Sequence, residues 1–185
     1  MPRKPRPPGA SLDNARGAIL AIDFGTSNST VGYPAVSGPV LAAVEGDQVT
    51  IPSAIFFNTE DACVQFGRSA IAAYTQHYEG RLLRALKSVL GSSLIEETTS
   101  VGNQRIAFKD IIGLFLRHLK SLAEAQLGAE AEAVVLGRPV RFVDDDDARD
   151  RAAQGQLEAI ARDCGFKHVD FQFEPIAAAL DYEAR

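Results

Sequence analysis

One stretch constrains this chain more than any other: Ile19-Leu20-Ala21-Ile22-Asp23-Phe24-Gly25-Thr26-Ser27-Asn28-Ser29-Thr30. It reads as a buried strand that delivers one carboxylate, then a tight turn of small residues, then a returning strand. Ile19 to Phe24 is apolar except for Asp23, and a charge is rarely set into such a run without a partner or a metal. Gly25 lets the backbone take angles closed to other residues and lets a ligand approach it closely. Thr26, Ser27 and Asn28 add hydroxyl and amide groups to the free N–H groups of the turn. Donors in a concave turn beside a carboxylate suit a phosphate with a hydrated divalent cation. A polar hairpin in which Asp23 only shapes the turn is the alternative these residues leave open.

The rest of the chain must be able to support such a site. At 185 residues it can bury a substantial core as one domain or two subdomains. A hydrophobic share of 46% beside 23% charged residues places it among ordinary globular proteins. The net charge of −5 argues against nucleic acid as a partner, and no apolar run is long enough to span a bilayer. Cys63 and Cys164 lack metal-ligand spacing, and without a secretory signal they are expected reduced and buried in a cytoplasmic protein. Residues 1–17, rich in Pro, Arg and Lys, are expected to be a disordered leader.

Taken in order, the opening hairpin is followed by a third strand expected over Val40–Glu45, with Gly46-Asp47 as a turn. Strands are expected at Ile51–Phe57 and Val64–Gly67, then a helix over Ser69–Tyr78 with Ser69 as N-cap. Leu82–Leu90 shows helical spacing, and Gly91-Ser92-Ser93 and Ser100–Asn103 read as breaks. The spacing predicts a long amphipathic helix over Phe108–Leu127, stopped by Gly128. Ala133–Leu136 reads as a strand buried on both faces, Asp144–Cys164 as a helix stopped by Gly165, and Val169–Phe173 as a last strand. Glu174-Pro175 opens a final helix. Strands alternating with helices imply a parallel extension of the sheet, with ligands at the carboxyl ends of its strands. The Asp23 turn, Gly137-Arg138-Pro139 and Glu174 all fall at such ends.

These residues resemble a known family. Ala21 to Ser29 is similar to the first phosphate motif of the DnaK-like heat-shock chaperones. Arg84-Ala85-Leu86-Lys87-Ser88-Val89-Leu90-Gly91 resembles their lysine-bearing segment, and Phe173 to Tyr182 resembles their E-P-T-A-A-A-L-x-Y segment. Leu136 to Phe142 and Asp181-Tyr182-Glu183 look most like the YegD-type branch. The first motif is shared with actins and sugar kinases, whereas the later ones are specific to chaperones.

The resemblance implies an α/β fold: lobe I of a ribonuclease-H-like, actin-like ATPase, a mixed sheet flanked by helices with an inserted small α+β subdomain. Subdomain IA would comprise residues 18–44 and 108–185, and subdomain IB residues 45–107. It implies that Gly25, Thr26, Ser27 and Asn28 bind the phosphates of ATP or ADP, and that Asp23 holds Mg²⁺ through a water. Lys87 would touch the γ-phosphate and the attacking water, and Glu174 would orient that water; with Asp23 these are the expected catalytic residues. The expected activity is Mg²⁺-dependent attack of water on the γ-phosphate, coupled to lobe closure in a chaperone. Unfolded polypeptides, J-domain proteins and nucleotide-exchange factors are the expected partners, with no nucleic acid and no membrane.

Some features depart from the family pattern. Pro139 fits an interdomain relay, but Asp144-Asp145-Asp146-Asp147 lengthens the loop, so that Arg149 and Arg151 straddle the position of the relay arginine. The four aspartates lack the alternating ligands of a calcium loop and fit a helix N-terminus. The family's second phosphate loop, adenosine segment and peptide-binding domain would follow residue 185, so weak or no ATP binding and little or no activity are expected of these residues alone. A small-molecule kinase of the same superfamily and a non-catalytic docking module are the alternative readings. The sequence names neither client nor oligomeric state.

Overall fold

The computed structural model describes residues 18–183. The leader expected at residues 1–17 lies outside the described residues. A six-stranded mixed sheet forms the centre. Strand β1 (Ala18–Phe24) returns antiparallel through β2 (Asn28–Ala35), which continues into β3 (Gly38–Leu41). The third strand is thus shorter and earlier than the expected Val40–Glu45. Beyond Leu41 the chain leaves the ladder, and Gly46 at φ 55° turns it so that Glu45 and Gln48 bridge each other.

The apolar run from Ile51 divides between two sheets. β4 (Ile51–Pro52) pairs with β2, while β5 (Ala54–Asn58) lies between β6 (Cys63–Phe66) and β7 (Gly80–Arg84) in a three-stranded sheet. Helix α1 (Gly67–Thr75) packs on that second sheet. Period-two alternation explains how β5 serves two cores. Ile55 and Phe57 join the main core, whereas Ala54 and Phe56 meet Ala70 and Ala73 of α1. Ser69 is not the N-cap of α1, because its hydroxyl donates back to the Phe66 carbonyl.

Leu82–Leu90 is not a helix. Leu82, Leu83, Leu86 and Leu90 imitate helical spacing, but Leu82 and Leu83 pair with β5 in β7. Ala85 then takes a left-handed φ of 53° and starts a single tight turn over Leu86–Val89. The break expected around Ser100–Asn103 is the tip of a hairpin, β8 (Thr98–Val101) and β9 (Gln104–Ala107), turned by Gly102.

Helix α2 (Phe108–Leu127) has the bounds its periodicity predicts, and Gly128 caps it at φ 74°. Ile111, Ile112, Phe115, Leu116, Leu119 and Ala123 are fully buried against Leu20, Ile22 and Phe24 of β1 and the rest of the core. Each large apolar side chain so buried contributes about 2 kcal/mol. β10 (Ala131–Arg138) then runs parallel to β1, and β11 (His168–Phe173) parallel to β10. Between them α3 (Asp147–Asp163) buries Ala153, Leu157, Ile160 and Ala161. It starts three residues later than expected: Asp145 has φ 57°, and the Asp146 carboxylate caps the N–H groups of Ala148 and Arg149. α4 (Glu174–Glu183) follows β11 directly.

Helices α2 and α3 cover one face of the central sheet. The other face is an open hollow of about 960 Å³, floored by alternate residues such as Ile19, Ala21, Thr30, Gly32 and Val135 and flanked by Ala177 and Ala178 of α4. Both cysteines are free; Cys164 is buried, but Cys63 is exposed on the edge strand β6, contrary to expectation. No helix among the described residues is long and apolar enough to cross a membrane.

Candidate functional site

The turn between β1 and β2 is braced from behind. Ser53, between β4 and β5, donates its hydroxyl to the Gly25 carbonyl (2.7 Å) and its N–H to the Ser27 carbonyl (2.9 Å). Its hydroxyl also lies 2.8 Å from that of Ser29, and both serines are only 2% exposed. With those carbonyls held inward, Thr26, Ser27 and Asn28 stand exposed at the rim. Gly25 is required by close approach, because a Cβ there would lie 2.2 Å from the Asn28 carbonyl oxygen.

Asp23, one residue before the end of β1, lies on the hollow side of the sheet. Although its surface reaches solvent, surrounding protein pushes its carboxyl above the usual aspartate range; the Glu174 charge adds to this and Lys87 partly offsets it. Gly137, near the end of β10, faces the same spot: a Cβ there would be 3.5 Å from Asp23 Oδ1 and 3.5 Å from Glu174 Cγ. Its missing side chain leaves room between the two acids.

Lys87 reaches this cluster from the tight turn after β7. It is 9% exposed, and its Nζ donates to Glu174 Oε1 at 2.6 Å. It is therefore not a solvated lysine on a surface helix. Gly91, four residues on, is held by α3 at both polar groups: its N–H donates to Gln156 Oε1 (2.8 Å) and its carbonyl accepts from Arg149 Nε (2.9 Å). Arg149, one candidate for a relay arginine, thus spends its Nε within this chain. Arg151 is exposed.

The structure brings Asp23, Lys87 and Glu174 together beside Gly137, with the Gly25–Asn28 turn at the end of the same strand as Asp23. Ser53, Gln156 and Asp150 also belong to the setting and were not singled out from the sequence, whereas Arg138 was marked only as part of the Gly137-Arg138-Pro139 strand end. Ser53 follows a proline between two apolar runs, a weak signal, and Gln156 and Asp150 sit in a helical pattern with nothing to mark them. The Asp144–Asp147 run has local roles: besides the Asp146 cap, Asp147 pairs with Arg141 at 2.9 Å. The described residues contain no cluster of three or more His, Cys, Asp or Glu able to hold a metal.

The fold and cluster define a mixed α/β domain whose polar residues converge at the carboxyl ends of parallel strands. Across nine-tenths of its length this chain is similar to the DnaK-like heat-shock chaperones. It is 27% identical over 168 residues to the chaperone protein DnaK of Mycoplasmopsis agalactiae, covering 91% of this chain and 26% of that protein. It is 29% identical over 168 residues, with the same shares covered, to DnaK of Ureaplasma parvum serovar 3. It is 25% identical to the chaperone protein HscA homolog of Rickettsia felis, covering 95% of this chain and 28% of that protein. The chain thus spans about a quarter of the length of the curated relatives it matches. No family model matches it.

Proposed function

We propose that residues 18–185 are lobe I of an actin-like, ribonuclease-H-like ATPase domain, and that the complete protein is an ATP-hydrolysing chaperone of the DnaK-like type, of its YegD-type branch. One observation carries the reading: Asp23, Lys87 and Glu174, separated by up to 151 positions, meet beside Gly137 at the end of the strand that feeds the Gly25–Asn28 turn. Likeness to DnaK and HscA over the whole stretch supports it. Residues 45–107, which carry the second sheet and α1, correspond on this reading to the inserted subdomain IB.

The residues fit a Mg²⁺–nucleotide. Thr26, Ser27 and Asn28 offer hydroxyl, amide and backbone N–H donors to phosphate oxygens. The raised Asp23 carboxyl is a place where a divalent cation relieves the cost of burial and of the Glu174 charge. Bound Mg²⁺ would offset phosphate charge and order water. The Lys87 ammonium, already desolvated, is placed to stabilise charge developing on a terminal phosphate. Glu174 is placed to orient and accept a proton from an attacking water. Gly137 keeps this space free of side chain. Closure of the cleft, the client polypeptides, J-domain and nucleotide-exchange partners belong to the proposal for the complete protein.

Single-turnover hydrolysis by the complete protein tests the reading. Lys87→Ala is expected to slow the chemical step about 100-fold while largely sparing nucleotide binding. An unchanged rate would remove Lys87 from the chemistry.

A further inference from the structure

Arg138 ends β10 and is only 9% exposed. A buried guanidinium needs its donors met and its charge paired. Its Nη2 donates to Asp150 Oδ2 (2.9 Å) and Oδ1 (3.2 Å), its Nε donates to the Pro139 carbonyl (3.0 Å), and Nη1 donates to Gln154 Oε1. Asp150 also accepts from the Phe142 N–H at 2.6 Å, a bond that holds its carboxyl below the usual aspartate range, with Arg138 adding to the effect. One carboxylate therefore fixes both the arginine and the loop that leaves β10.

The guanidinium also lies over two rings. Its central carbon is 5.2 Å from the Phe142 ring centre and 5.0 Å from that of Phe173. Phe142 takes a second cation, because Lys87 Nζ stands 5.8 Å from its ring centre. Phe173 immediately precedes Glu174 in the chain. Each member of the Lys87–Glu174 pair is thus linked to Arg138 through one aromatic ring.

We infer that Arg138 is a positioning residue: anchored by Asp150 and packed over Phe142 and Phe173, it sets the place of Lys87 and Glu174. The inference takes its functional meaning from the phosphate-site reading above, but its physical content is independent of any nucleotide. A planar fork suits this place and a point charge does not, since a guanidinium can bond at its edge while its delocalised cation packs over aromatic rings.

The test uses the isotope-labelled 185-residue chain without nucleotide and reads the side-chain ammonium signal of Lys87 by NMR. In Arg138→Lys, which keeps the charge but loses the fork, hydrogen exchange of that ammonium is expected to quicken about tenfold, the order that a desolvated cation–π contact supplies. Its proximity signal to the Phe142 ring is expected to vanish, with the amide spectrum of α2 unchanged. Phe142→Leu, which leaves the Arg138–Asp150 pair in place, is the second variant and should give the same quickening. A lowered thermal midpoint with Lys87 exchange unchanged in a folded variant would mark Arg138 as structural only and overturn the inference. Such a failure would leave the phosphate reading standing, and failure of nucleotide binding would leave this result untouched.

Discussion

The two halves of the candidate site are built by opposite means. The Gly25–Asn28 turn is a backbone device: four consecutive residues, a glycine with no room for a side chain, and one serine behind it holding two carbonyls. The Lys87–Glu174 half is a side-chain device, assembled from a tight turn, two strand ends and a helix by ion pairs and rings. The first is set by backbone room and the second by charge and side-chain shape. They meet at Gly137, where the absence of a side chain is the feature that matters.

That contrast can be broken from either side. The largest effect is expected for Gly25→Ala, which forces a Cβ into the Asn28 carbonyl; a loss of about 3 kcal/mol in urea unfolding is expected, of the order of overpacking. Unchanged stability would mean that the turn relaxes freely and is no rigid cradle. Ser53→Ala removes the hydroxyl half of the brace, on the Gly25 carbonyl, and leaves the buried Ser29 hydroxyl without that partner, at a cost of about 1–2 kcal/mol by the same measurement.

Gly137→Ala sharpens the comparison, because its Cβ would meet only ordinary contacts at 3.5 Å. Stability should change by less than about 1 kcal/mol, while affinity of the complete protein for Mg·ATP, read by calorimetry, should fall. Equal affinity would show that the space between Asp23 and Glu174 holds nothing.

The smallest effect concerns pH. Burial and the Glu174 charge raise the Asp23 carboxyl, so its ionised form is disfavoured by folding. Its contribution to stability is present below its unfolded pKa and fades as pH rises through the higher folded value. Asp23→Asn should accordingly raise the thermal midpoint at neutral pH by up to about 3 °C, a gain that vanishes in acid. A lower midpoint would mean that Asp23 serves the fold rather than a ligand. Asp150 behaves oppositely: its folded pKa is lowered, so its contribution is present above the unfolded pKa and fades as pH falls through the folded one.

Elements marked by local chemistry were legible in the sequence. β1, its turn, α2 with its Gly128 stop, and the strand–helix–strand run from β10 to α4 follow from runs, periods and stop signals within single windows. So does the convergence of Asp23, Gly137 and Glu174, because parallel strands put their carboxyl ends together. What escaped depended on distant partners. Leu82–Arg84 is a strand only because β5 lies beside it, and Ile51–Asn58 divides at Ser53 because two sheets claim its halves. The burial of Lys87 and the Arg138–Asp150 pair needed residues 55 or more and 12 apart, respectively, to be placed in space. Helical spacing around Lys87 gave no sign of that.

The central claim is that the Asp23 end of β1 takes a nucleotide-bound divalent cation. Paramagnetic Mn·ATP added to the labelled 185-residue chain tests it most directly, since broadening reveals even slight occupancy. Broadening centred on the amides of Gly25–Ser29 and Gly137, reversed by excess Mg·ATP and lost in Asp23→Asn, is the expected result. Broadening centred on Asp144–Asp147 instead, or broadening at Gly25–Ser29 that persists in Asp23→Asn, would contradict the account.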